Sequence, residues 1–233
     1  MTYAIKWASA LTALALLAAP AAQAAPSAML STAEKLTLKG KKGESLFRPG
    51  YVLGEYTGAS GGVASSTRAA GVYAKDKLKA DFTVMRPGWS APVTVTCSGG
   101  QSRLGLGWIT FKRDTLDYIC EFGGTAPAGA TFALAMTKGG FLQEMAQPQR
   151  AGELQYGGVT LRAQTKFLGG LPMGGGGATS YVFSKGEQEI GGLQLNAFPP
   201  AFYLPPQGSA DRDAAAILSL ILFYFRDPGR QDH

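Results

Sequence analysis

Twelve consecutive residues near the end of this chain, Ala214 to Phe225, contain one strongly polar interruption, Ser219. Ser209 or Asp211 can cap the start of a helix there, and Asp213 suits the dipole of its first turn. Arg226 would sit in the last turn, and Pro228-Gly229 ends the pattern, so a helix is expected from about Arg212 to Arg226. Such a helix has no polar face, and a helix that is apolar all round has to be surrounded. Lipid cannot do it. The twelve residues rise only about 18 Å, against a hydrocarbon layer of about 30 Å. The protein itself must supply the surroundings.

The remainder of the chain offers strands for that purpose. Leu36 and Leu38 alternate with Lys35, Thr37 and Lys39, and Ala80, Phe82 and Val84 alternate with Lys79, Asp81 and Thr83. Phe132, Leu134 and Met136 share one parity, as do Val159, Leu161 and Ala163. Tyr181 and Phe183 are followed, across a Lys185-Gly186 turn, by Leu193, Leu195 and Ala197. Glycine, at 32 of 233 residues, falls in pairs at nearly every junction, including Gly61-Gly62, Gly157-Gly158 and Gly191-Gly192. Short alternating segments at this spacing predict a mainly β fold. The expectation is an antiparallel β-barrel or strongly curled sheet of roughly ten to twelve strands around the buried apolar C-terminal helix. Gly169 to Ala178 reads as a mobile loop.

Residues 1–24 read as a signal peptide. Lys6 precedes an apolar run from Trp7 to Ala19, Pro20 breaks it, and Ala22-Gln23-Ala24 offers small residues where a signal peptidase reads. Residues 25–233 then form a single β-rich domain with no transmembrane span, working in the periplasm or outside the cell. Cysteine usage agrees. Val93, Val95 and Cys97 share one face of a predicted strand, and Leu116, Tyr118, Cys120 and Phe122 share one face of another. Both sulfurs point inward, and an oxidising compartment favours a Cys97–Cys120 disulfide. It would close a loop of about 24 residues and contribute on the order of 3 kcal/mol.

Several chemistries are excluded by composition. The sole histidine is the terminal His233, and the cysteines are two, so His-based nucleophilic catalysis and His/Cys zinc sites find no residues. No catalytic residue, metal ligand or cofactor is assigned. Gly58-Ala59-Ser60-Gly61-Gly62 fits the Gly-x-Ser-x-Gly pattern, but that mechanism needs a strand-to-helix elbow and a histidine in reach. It reads as a flexible loop. Asp117 and Glu121 lie about 13 Å apart along one strand, too far for paired glycosidase acids, and with Asp114 they read as a solvated face.

The chain carries a net charge of +6, unevenly placed. From Ala25 to Ser90 there are ten basic and five acidic residues, whereas Ala91 to His233 has eleven of each. Lys39, Lys41 and Lys42 surround one turn, and Lys75, Lys77 and Lys79 share one parity of an extended stretch. One reading is a solubilising surface. The functional reading makes these six lysines the contact for anionic lipid head groups or envelope polysaccharide. Nucleic acid is removed from consideration by export. The expected function is an exported, non-enzymatic binding or envelope-associated module. Its alternative is an extracytoplasmic carbohydrate hydrolase acting through carboxylates.

Residues 179–227 also resemble the end of a tubby-like domain, the superfamily that includes the phospholipid scramblases. The resemblance rests on the hairpin with Tyr181, Phe183 and Gly191-Gly192, the strand Phe202-Tyr203-Leu204, and the acidic cap Asp211-Arg212-Asp213. The apolar helix ending in Phe223-Tyr224-Phe225-Arg226 completes it. It implies about twelve strands closed around that helix. The signal peptide and the cysteine pair depart from the intracellular members, and no phosphoinositide-binding residue carries over.

Overall fold

Val93, Val95 and Cys97 are buried while Thr94, Thr96 and Ser98 face solvent, and the same period of two organises most of the chain. The computed structural model describes residues 32–40, 50–61, 79–100, 117–136, 150–165, 180–195 and 197–225. The expected signal peptide, the Gly169–Ala178 loop and Asp114 lie outside these residues.

The strands are β1 (Glu34–Thr37), β2 (Lys39–Gly40), β3 (Gly50–Leu53), β4 (Tyr56–Gly61), β5 (Lys79–Val84) and β6 (Val93–Gly100). They continue with β7 (Asp117–Gly124), β8 (Thr131–Met136), β9 (Arg150–Tyr156) and β10 (Val159–Thr165). The last are β11 (Ser180–Lys185), β12 (Gln188–Gln194) and β13 (Ala201–Leu204), followed by the helix α1 (Arg212–Tyr224). All pairings are antiparallel, and the sheet runs β1-β13-β12 and so on down in order to β3-β2. Its two outermost strands are therefore neighbours in sequence, separated by Leu38 alone. Thr37 pairs with Ala201 of β13, and Lys39 pairs with Val52 of β3. One run of chain bonds to both edges and brings the sheet to a nearly closed barrel. The thirteen strands are twelve staves plus this break at Leu38.

The helix fills the barrel, as its all-round apolarity requires. Residues Ala214 to Leu222 are all buried, and α1 touches β5, β9, β10, β12 and β13 around the ring. Ser219 satisfies its hydroxyl by donating to the Ala215 carbonyl one turn back (2.8 Å), so it costs the core no unpaired polar group. Tyr224 and Phe223 pack on Phe82 and Phe202, and Phe225 packs on Tyr118. The helix ends with Phe225 as its C-cap, and Arg226 lies outside the described residues. No helix among the described residues is long and apolar enough to cross a membrane.

Cys97 and Cys120 stand directly opposite each other on β6 and β7 and are joined by a disulfide. Both are buried against the core, as the inward parity of their strands predicted.

The barrel's two ends differ. Where α1 begins, the connections are short: residues 54–55, 85–92, 125–130, 157–158 and 186–187. At the opposite end the described residues include 197–200, which lead into β13.

Candidate site at the start of the central helix

Successive residues of a helix point about 100° apart. Three consecutive charged side chains at the head of an otherwise apolar helix therefore radiate like spokes toward different parts of the barrel. Asp211, the N-cap, takes Lys185 at the end of β11 at 2.8 Å. Arg212 reaches the β3–β4 turn, where its Nη2 donates to Glu55 Oε2 (2.8 Å), and it also pairs with Glu34 at the start of β1 (2.8 Å). Its Nη1 donates to the Pro205 carbonyl just after β13. Asp213 turns to the β5–β6 connection. Arg86 Nη2 donates to Asp213 Oδ2 (2.9 Å), the Tyr56 hydroxyl donates to Oδ1 (2.7 Å), and Arg86 Nε lies 2.8 Å from Oδ1 but off the hydrogen-bond line.

These pairs set the local ionisation. The Arg212 guanidinium beside Glu55 holds its carboxyl below the usual range, and Glu55 in return raises Arg212. Burial, reinforced by the hydrogen bond to Asp213, pushes the Tyr56 hydroxyl well up.

Beside the Asp213 spoke lies a half-open cleft of about 380 Å³. Four segments build it: Trp89 and Ser90 from the β5–β6 connection, Thr125 and Pro127 from β7–β8, Tyr156 and Gly157 from β9–β10, and Asp213 with Ala214 from α1. The β9–β10 turn is tight because Gly157 and Gly158 both take positive φ (60° and 78°), the requirement of a two-residue type I′ hairpin. Trp89 is fixed by Arg86, 5.4 Å over its ring, and by the edge of Tyr56 at 6.4 Å. Tyr156 has its hydroxyl pushed up to about 12, chiefly by burial and then by Asp213.

Comparison with known proteins finds no family model, no curated protein and no solved structure that matches this chain.

Lys39 and Lys79 are exposed, whereas Lys41, Lys42, Lys75 and Lys77 lie outside the described residues. Lys39 and Lys79 are not brought together. Lys39 pairs with Val52, Val52 with Thr57, and Thr57 bridges Met85, six residues or about 20 Å along the chain from Lys79.

The Gly-x-Ser-x-Gly segment is corrected by the structure. Gly58 to Gly61 lie within β4 rather than in a flexible loop, and β4 is not followed by a helix. Glycine is needed at 58 because a Cβ there would sit 1.8 Å from the Thr83 carbonyl oxygen. Among the described residues no three His, Cys, Asp or Glu side chains are grouped to hold a metal. Glu121 is exposed on β7, as a solvated strand face requires. Sequence reasoning missed Trp89, Tyr156 and the ion pairs of Arg212 and Asp213. Their one available signal was the run Asp211-Arg212-Asp213, three charges heading a helix with nothing else polar but Ser219.

Proposed function

We propose that this chain is an exported, non-catalytic binding module of the cell envelope, resting the end opposite its helix start on an anionic lipid surface. The observation that carries the reading is Phe198. It is 102% exposed, the one large hydrophobic side chain among the described residues left wholly in water. It stands in the β12–β13 connection, three residues before Ala201, whose partner Thr37 is two residues before Lys39. An aromatic side chain beside exposed lysine is the combination that suits a membrane interface, where one part is apolar and the other wet.

Other features support parts of this reading. The buried disulfide suits an oxidising compartment, the periplasm or the exterior. The order of elements, strands nearly closed around a terminal apolar helix, supports the likeness to tubby-like domains. The hydrolase alternative would need two carboxyl groups about 5–10 Å apart across a cleft. The described cleft is lined by one, Asp213, which is held by Arg86 and Tyr56.

Cosedimentation of the mature protein with phosphatidylglycerol and phosphatidylcholine vesicles tests the proposal. At about 1 kcal/mol per lysine, six lysines supply micromolar binding to the anionic vesicles that fades with salt. Changing Lys39, Lys41, Lys42, Lys75, Lys77 and Lys79 to Gln should abolish it, and Phe198→Ser should weaken it several-fold. Equal binding to both vesicles, or by all variants, refutes the lipid reading. Retention by acidic polysaccharide but not by vesicles would also refute it.

A further inference from the structure

We propose that the cleft at the helix start binds a single neutral pyranose unit, free or at the end of a glycan. This site is lined by none of the six lysines and stands independently of the lipid reading. The cleft's carboxylate, Asp213, already has Arg86 on both of its oxygens and the Tyr56 hydroxyl on one. Among the described lining residues the pair leaves polarity without an unmatched charge, so neither a cation nor an anion finds a free counterion in them. A neutral ligand rich in hydroxyl groups meets no such penalty.

The walls suit that ligand. Trp89 presents a large flat ring, and a pyranose has a face of polarised C–H bonds that packs on such a ring. Arg86 and Tyr56 hold the indole in place before anything binds, which lowers the ordering cost of association. The same cleft is lined by three hydroxyl-bearing residues, Tyr156, Ser90 and Thr125. Tyr156 keeps its proton up to about pH 12 and so remains a donor in any physiological condition. Ser90 is exposed at the mouth. Thr125 spends its proton on the Ala91 carbonyl (2.6 Å), which leaves its oxygen as an acceptor. The helix has no side-chain cap; the Arg212 N–H is spent on the Ser209 carbonyl, which leaves the N–H groups of Asp213 and Ala214, both in the cleft lining, as donors. A few convergent polar groups around an aromatic wall, in a space of about 380 Å³, is the build of a small-ligand site. Its half-open form admits a ring that continues into a longer chain.

The test uses the full mature protein on an array of immobilised neutral and acidic glycans, followed by titration calorimetry with the best neutral tetrasaccharide. A neutral glycan should bind with an affinity that does not change between low and high salt, and its uronic-acid counterpart at least about tenfold more weakly. Trp89→Ala removes the stacking ring, and Ser90→Tyr fills the mouth from an exposed position that folding tolerates. Each should reduce binding by at least about tenfold. The six-lysine variant should bind sugar as the wild type does, so that a failed lipid assay and a failed sugar assay are told apart. An array on which no neutral glycan is retained overturns the proposal. So does a preference for acidic glycans, or unchanged binding by Ser90→Tyr.

Discussion

Arg212 offers a test in which removing the cation should cost less than removing its partners. Its side chain is 3% exposed, whereas Glu55 and Glu34 are 25% and 38% exposed. In Arg212→Met the two carboxylates lose their cation but can turn to water, and the methionine fills the apolar part of the space. The unrecovered loss is mainly the Pro205 carbonyl, left without its donor, at about 1–3 kcal/mol. In the double variant Glu34→Gln/Glu55→Gln the guanidinium stays buried with no counterion. Such an uncompensated charge costs about 3–5 kcal/mol. For a chain of this size about 1 kcal/mol moves the melting temperature by roughly 2–4 °C. Thermal unfolding followed by circular dichroism should therefore place Arg212→Met below wild type and the double variant lower again. Acid adds a second readout. Glu55 is held below its ordinary range, so its contribution is complete above the unfolded carboxyl value and is lost as pH falls through the folded one. Wild type should lose stability over that acid window, and Arg212→Met should lose less. A double variant as stable as wild type, or an Arg212→Met protein with the steeper acid loss, would refute the idea of a buried cation held by exposed anions.

Three further outcomes are expected. Leu220→Asp places an unpaired carboxylate inside the barrel and should abolish cooperative folding; a soluble protein with a sharp melting transition would contradict the central position of α1. Protein recovered from the exporting host should begin near Ala25 and show no free thiol before reduction, as read by intact mass with and without alkylation. Gly58→Ala drives a methyl group into the Thr83 carbonyl and should cost at least about 1–3 kcal/mol in urea unfolding, whereas Ala at the open Gly40 should not.

What was legible in the sequence was local or followed from exclusion. The parity of Val93, Val95 and Cys97 set both the strand and the inward sulfur, and the matching parity of Tyr118 and Cys120 set its partner. The absence of a polar face on Ala214–Phe225 required a container, and alternating strands were the only material for one. Closure was not legible. Leu38 sits inside what reads as a single strand, and only the pairing of Thr37 with Ala201 and Lys39 with Val52 makes it the point where the two edges meet. The charges at the helix head were read as caps for a dipole because caps are local. Their partners Glu55 and Arg86 lie 157 and 127 residues away, and no spacing rule reaches that far. The cleft is assembled from four separate segments, so none of them carries a motif. Parity groups Lys75, Lys77 and Lys79, and a shared turn groups Lys39, Lys41 and Lys42, but Lys39 and Lys79 prove to be distant along the strands.

Closure at Leu38 also bears on the order in which the molecule can form. A chain made from its N-terminus presents β1 early, but the partner of β1 is β13, almost the last segment to appear. Until then β1 remains an unpaired edge, and the interior of the growing sheet has no occupant because α1 comes later still. The hairpins from β3 to β12 each join neighbours and can form as they emerge. The closing contact is the most distant strand pairing in the fold, and such contacts come late and slowly. A chain stopped before residue 201 would thus be a hollow sheet with a bare edge, a species prone to pairing with copies of itself. Translocation of an unfolded chain, or a holding chaperone, would serve this topology by delaying the strands until the plug arrives.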